Sequence, residues 1–138
     1  GAASIDAVDT SVEMLAQLRA KADRLGWTTV HATDEPPAGA AGHDLVVCSS
    51  VLGFVPDHSA TVAQLAGLLA PGGLFVQWDW AADPDPSDTA DPHGLSRSAI
   101  ETALVAADLV DVEVGVGFKL PFGDVVMRPL IGSGRALR

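Results

Sequence analysis

Cysteine is almost absent from this chain: Cys48 is the only one in 138 residues. A single thiol excludes an intramolecular disulfide framework and a cysteine-based zinc site, and it makes a reducing cytoplasm the expected compartment. Basic residues are also scarce, eight against eighteen acids, for a formal net charge of −10. Such a surface repels phosphate backbones, so no nucleic acid partner is expected. No apolar run reaches the roughly 18–20 residues that span a bilayer, and no signal peptide is evident, so no membrane partner is expected either. His31, His43, His58 and His93 show no ligand spacing such as His-Glu-x-x-His, which argues against a metal. Internal repeats and low-complexity tracts are missing. What remains is 48% hydrophobic, over a length that suits one domain, residues 1–138.

Hydrophobic periodicity lays out the elements. Ser4 to Val8 reads as a short strand, and Thr10-Ser11-Val12-Glu13 has capping-box spacing, a hydroxyl at the N-cap and a carboxylate three residues on. Met14, Leu15, Leu18, Ala22 and Leu25 follow at helical spacing before Gly26. Trp27 to Ala32 predicts a second strand, ended by Pro36-Pro37-Ala38-Gly39. Leu45 to Cys48 is continuously apolar, the pattern of a parallel strand buried on both faces. Val62, Leu65, Leu68 and Leu69 predict a second helix, which Pro71-Gly72-Gly73 ends before a strand from Leu74 to Trp78. Residues 81–94 form a long Asp/Pro/Ser-rich loop, and Ser96 is placed to cap a third helix through Ile100, Ala103, Leu104 and Ala107.

The end of the chain differs in kind. Val110, Val112, Val114, Val116 and Phe118 alternate with polar residues and glycines, which predicts one half-exposed strand, with Val125 to Met127 returning beside it. The reading is an α/β Rossmann-like fold: a mostly parallel sheet, helices on both faces, and an antiparallel strand pair at the carboxyl end. A dinucleotide-binding domain would more often continue in parallel.

Three strings in order carry a resemblance: Ser4-Ile5-Asp6-Ala7-Val8-Asp9-Thr10-Ser11, then His43-Asp44-Leu45-Val46-Val47-Cys48-Ser49-Ser50, then Leu68-Leu69-Ala70-Pro71-Gly72-Gly73-Leu74-Phe75-Val76. Together they resemble the second, fourth and fifth strands of a class I S-adenosylmethionine-dependent methyltransferase. That family's first strand and glycine-rich turn have no counterpart in the chain. The resemblance implies S-adenosylmethionine as cofactor and methyl transfer to a small-molecule acceptor by in-line displacement. The leaving group is a neutral thioether, so alignment and desolvation can carry catalysis, with a base needed only for hydroxyl or thiol acceptors.

The same resemblance assigns roles. Asp9, an acid at a strand's carboxyl end, would accept both ribose hydroxyls, with Thr10 and Met14 near the adenosine; the plainer reading is an acid favouring the helix dipole and a core methionine. Asp34 would accept from the adenine amino group, or be a solvated loop acid. Ser49 and Ser50 would line the methionine end, or simply finish a strand. Trp78 and Trp80, sent by alternation to the face opposite Asp79, would form an aromatic wall for the substrate, or pack in a core. His58 and His93 are the candidate general bases, with surface histidines as the alternative. Cys48 reads as a small hydrophobe. Pro71-Gly72-Gly73 is structural in the family, and Gly132-Ser133-Gly134 lacks the Lys-Ser/Thr of a phosphate loop.

In that family the first strand lies between the second and the fourth. Without it the flanking strands would stand about 9–10 Å apart with exposed apolar edges. Upstream residues, a strand from a partner in a homodimer, or direct closure of second strand on fourth would each resolve this. The alternative function is a methyltransferase-like structural or interaction module that binds no cofactor.

Overall fold

Ser11, not Thr10, caps the first helix. Its hydroxyl accepts the Met14 N–H at 3.2 Å and donates to Glu13 Oε2 at 3.2 Å. The cap thus lies one residue beyond its expected place, and Glu13 falls at the second helical position, not the third that a capping box needs. The reason is Asp9: its Oδ1 accepts the Ser11 N–H at 2.8 Å, an Asx turn that carries the chain one residue further before it coils. These features belong to a computed structural model that describes residues 2–38, 42–82, 94–123 and 125–137. The chain divides into two units, residues 1–39 and 40–138.

In the first unit β1 (Ile5–Val8) pairs in parallel with β2 (Val30–Thr33), Ile5 opposite Val30 and Val8 opposite Thr33. Between them runs α1 (Val12–Leu25), closed by Gly26 in the left-handed region (φ 68°) with the Trp27 N–H on the Ala22 carbonyl. The strand expected from Trp27 therefore starts only at Val30. Arg19 ties the helix to β2 by donating to the Ala32 carbonyl at 2.7 Å.

The second unit holds a four-stranded sheet in the order β3-β4-β8-β5, from β3 (His43–Ser49), β4 (Leu69–Trp80), β5 (Leu109–Val116) and β8 (Pro129–Ala136). β3 and β4 are parallel, and β8 is antiparallel to both β4 and β5. This is the expected mostly parallel sheet with a reversed strand. Two helices, α2 (His58–Ala66) and α3 (Arg97–Ala106), pack with the face that carries Phe75. Between them lies a core of Leu52, Val62, Phe75, Ile100, Leu104, Leu109 and Leu130. Alternation along β4 is strict, with Phe75, Gln77 and Asp79 buried and Leu74, Val76, Trp78 and Trp80 half-buried on the other face.

Several expectations change here. α2 ends at Ala66 under Gly67, so Leu68 and Leu69 are not helical. The Gly42 and His43 amides both donate to the Leu68 carbonyl, drawing the chain into β4, with Leu69 opposite His43. β4 then loops out at Pro71-Gly72-Gly73, with Gly72 at φ 78°, and resumes opposite Leu45 at Leu74. Gly73 is required there, because a Cβ would lie 2.8 Å from the His43 carbonyl oxygen.

Leu45 to Cys48 is buried on one face only: Leu45 and Val47 are 52% and 56% exposed, while Cys48 is inside. β5 is not a single alternating strand. A bulge between Val110 and Glu113, with Asp111 at φ 52°, shifts the register by one, so Leu109, Val112 and Val114 point inward and Val110 outward. Val125–Met127 does not return beside β5. As β7 it pairs with β6 (Leu120–Phe122) in a separate hairpin, and β8 makes the return. Gly132 and Gly134 lie within β8, where a Cβ on Gly132 would strike Ile100 and sit 3.1 Å from Leu104. Gly132 thus makes room for α3, and Gly134, where a Cβ would lie 2.9 Å from Leu109, makes room for β5.

Candidate active site

Parallel strands end their backbone hydrogen bonding at one rim, and the side chains there face a crevice. In the first unit that rim carries Asp9, Thr10 and Asp34, all exposed, and the Asp9 N–H still donates to the Thr33 carbonyl at 3.2 Å. The two acids thus follow neighbouring strands. Asp9 Oδ1 is occupied by the Asx turn, and Oδ2 has no hydrogen bond among the described residues. Met14 lies in the first turn of α1 and is 53% exposed, so its side chain is outside any core. Thr33 Oγ1 donates to the Glu35 carbonyl at 2.9 Å and fixes the turn that holds Asp34.

In the second unit the rim brings Ser49 and Ser50 against Trp78. Ser49 is opposite Trp78 in register, and the Ser50 N–H donates to the Trp78 carbonyl at 2.8 Å. Ser50 sits at φ 53°, a conformation that costs a β-carbon residue energy and recurs at ligand sites. Trp78 packs edge-on to Trp80 at 5.4 Å between ring centroids and to Phe118 at 6.1 Å. Trp78, Trp80 and Phe118 thus form a cluster of three rings, the two tryptophans half-buried and Phe118 exposed.

His58 is brought to a different place. It begins α2, and its ring reaches the buried face of β4 at Gln77, the side opposite Trp78 and Trp80. His93, the other candidate base, lies outside the described residues. The chain on either side of that segment is pinned: Leu95 donates to the Trp80 carbonyl at 2.8 Å and Ala82 donates to the Leu95 carbonyl at 3.0 Å.

Two polar residues were missed by the sequence reading. Gln77 is fully buried and Asp79 is 2% exposed, both on the inward face with Phe75. Asp79 Oδ1 accepts the Gly53 N–H at 3.2 Å, and its Oδ2 accepts from Gln77 Nε2 at 3.1 Å. Burial raises the Asp79 carboxyl above its ordinary value, opposed by the Gly53, Gln77 and Leu52 hydrogen bonds and by the nearby His58. Burial, aided by Asp79, pushes the Cys48 thiol up to about 12, so it stays protonated and inert as the small hydrophobe expected. The signal that could have found the pair was parity: residues 77 and 79 share the face of Phe75.

A family model described as a methyltransferase domain matches residues 1–75. The chain belongs to the methyltransferase domain family. It is 36% identical over 114 residues to a trans-aconitate 2-methyltransferase of Methylobacterium radiotolerans, an alignment covering 81% of this chain and 40% of that protein. Among solved structures, phosphoethanolamine N-methyltransferase 2 of Haemonchus contortus in complex with S-adenosyl-L-methionine has a TM-score of 0.79 at 12% identity, covering 98% of this chain and 44% of that one. The YcgJ protein of Bacillus subtilis has a TM-score of 0.76 at 14% identity, covering 99% and 83%. The likeness to these two structures shows the fold, and together with the family match it makes S-adenosylmethionine the cofactor. The chain spans about 40% of the length of the first curated relative and 28% of a second, from Rhodopseudomonas palustris.

The described residues suit that cofactor at each rim taken separately. An exposed carboxylate with one open oxygen fits a ribose diol, and exposed Ser49 beside strained Ser50 offers small polar groups at a strand end. Among the described residues no helix is long and apolar enough to cross a membrane, and no group of three or more His, Cys, Asp or Glu side chains gathers as metal ligands.

Proposed function

We propose that this chain contributes the cofactor contacts of an S-adenosylmethionine-dependent methyltransferase whose acceptor is a small carboxylic acid. The observation that carries the reading is the 36% identity to a trans-aconitate 2-methyltransferase across 114 residues, a span that takes in Ser49 and Ser50 wherever it falls in the chain. When bound, the cofactor supplies an electrophilic methyl group on a sulfonium. Asp9 accepts the ribose hydroxyls through its open oxygen, with Thr10 and Met14 beside the adenosine and Asp34 at the adenine amino group. Ser49 and Ser50 line the methionine end. Trp78 and Trp80 form the wall against which the acceptor lies, excluding water from its reacting oxygen.

A carboxylate acceptor is already an oxygen nucleophile at neutral pH, so no side chain need remove a proton. That agrees with His58 facing the buried side of β4 rather than the tryptophan side. A buried, unreactive Cys48 is compatible with a cytoplasmic setting.

The test is a calorimetric titration of the 138-residue chain with S-adenosylhomocysteine. Saturable binding that Asp9→Ala weakens at least tenfold is expected. Binding unchanged by Asp9→Ala would remove the ribose assignment, and no binding would remove the cofactor role of these residues.

A further inference from the structure

A buried carboxylate in a small domain costs stability unless its hydrogen bonds are well made. Asp79 lies on the helix-covered face of β4 among Phe75 and Leu52, where an apolar residue would satisfy packing alone. What it does there is visible in its partners. One oxygen holds the Gly53 N–H, in the 3-10 turn Leu52–Phe54 that directly follows Ser49, Ser50 and Val51. Its other oxygen holds the Gln77 amide.

Gln77 passes the constraint on. His58 Nε2 lies 3.3 Å from Gln77 Nε2 and 3.4 Å from Oε1, so the ring can accept from the amide or donate to the carbonyl, according to its own proton. The amide cannot turn freely to meet it, because Asp79 holds its nitrogen. With Nε2 engaged, Nδ1 is the ring nitrogen without a hydrogen bond among the described residues. His58 also lines an open groove of about 460 Å³ between the starts of α2 and α3, with Asp57, Ser59, Ser96, Ser98 and Thr102. The titratable groups against Asp79 are His58 from α2 and the Cys48 thiol from β3; His58 has Asp57 beside it, and α3 lines the groove with Ser98, Ala99 and Thr102, none of them titratable.

We propose that Asp79 and Gln77 are positioning residues: one buried carboxylate–amide pair holds both the turn behind Ser49 and Ser50 and the ring of His58, so that the methionine-end loop and the groove-side imidazole are set by the same anchor. The role of the loop rests on the function proposed above; the shared anchor does not. Through this anchor the proton on Asp79 is felt at two places that belong to different elements. A carboxylate accepts at both oxygens, whereas the protonated acid carries a donor on one of them, so the hydrogen bond at that oxygen, from Gly53 or from Gln77, is weakened or rearranged.

The experiment is an NMR pH titration of the 138-residue chain, following the Gly53 amide and the His58 ring, alongside S-adenosylhomocysteine calorimetry at the two ends of the pH range. The wild type should show a common midpoint at both probes, above the ordinary carboxylate range. Asp79→Asn should abolish that step at both. Gln77→Leu should abolish it at His58 and keep it at Gly53, a split that general loosening of the core would not produce. S-adenosylhomocysteine should bind at least threefold more weakly to Asp79→Ala, with Asp79→Asn, which keeps an acceptor for Gly53, restoring most of the loss. A His58 profile indifferent to both substitutions overturns the shared anchor. The common midpoint with ligand affinity equal in all variants overturns the positioning role while leaving the cofactor reading intact. A common midpoint in a wild-type chain that binds no S-adenosylhomocysteine overturns the cofactor reading, and with it the role of the loop, and supports the anchor alone.

Discussion

The two units of this chain divide recognition and packing unequally. Residues 40–138 bury Phe75, Leu52, Ile100, Leu104 and Val62 almost completely between a sheet and two helices. Residues 1–39 bury only Leu15 and Ala22 among their described residues, and they expose Ile5, Val8, Val12, Met14, Leu25 and Trp27. Yet the smaller unit carries Asp9, Thr10, Met14 and Asp34, four of the six residues proposed to touch the cofactor. A strand-helix-strand of this size cannot bury enough apolar surface to be stable alone. The comparison teaches that the proposed recognition residues stand at strand ends and helix starts, where hydrogen bonds and caps set geometry, and not in proportion to core.

The largest effects should fall in the second unit. Phe75→Ala removes a fully buried ring and should cost about 3–5 kcal/mol in urea unfolding, whereas Leu15→Ala in the thin first unit should stay near the lower end, about 2 kcal/mol. Equal losses would erase the distinction between the units. Next comes Gly132→Val. Its side chain must displace Ile100 and Leu104 of α3 from β8, a loss of about 1–3 kcal/mol, read as a lower melting temperature. A neutral result would mean that α3 does not rest on that glycine.

A smaller effect sharpens the account of the first unit. Ser11→Ala should cost about 1 kcal/mol of helix stability and Thr10→Ala less than about 0.5 kcal/mol, measured by thermal unfolding, because Ser11 is the cap. The reverse order would restore the capping box to Thr10. Smallest is a pH effect at Asp79. Its folded carboxyl holds a proton to higher pH than the unfolded one, whose ordinary value is 3.8. The folded state therefore binds more protons between those two values, and this contribution to stability is full below the ordinary value and lost as pH rises through the folded one. Asp79→Asn should accordingly gain stability relative to wild type at neutral pH, with the gap closing on acidification. A gap that widens on acidification would reverse the sign.

Much of this fold was legible because its signals are local. Alternating strands and helices, the apolar strand before Ser49, Ser96 as the cap of α3 and the run into Trp78 all appear where periodicity puts them. The failures have local causes as well. Asp9 competes with Thr10 for the turn, so the cap moved by one residue. Leu68 and Leu69 continue a helical pattern, but Gly67 and the amides of Gly42 and His43 claim them for a strand. β8 was hidden because Pro129, Gly132 and Gly134 lower its strand propensity, while Gly132 is what lets α3 approach. The bulge at Asp111 broke the alternation of the valines, and although an Asp tolerates the left-handed region better than most residues, its presence in a strand does not announce a bulge. At the candidate site, the positions of Asp9, Asp34, Ser49 and Ser50 at or just past strand ends were readable from order and spacing. Gln77 and Asp79 were not, since a polar residue in a strand reads as solvent-facing until its partners are known.

Backbone amide shift mapping with S-adenosylhomocysteine tests the central claim most directly. The account predicts saturable shifts at Asp9, Thr10 and Met14, at Asp34, and at Ser49 and Ser50, with Asp9→Ala suppressing them in parallel. Saturable shifts confined to the groove around His58 and Ser96, or none at the strand ends, would contradict it.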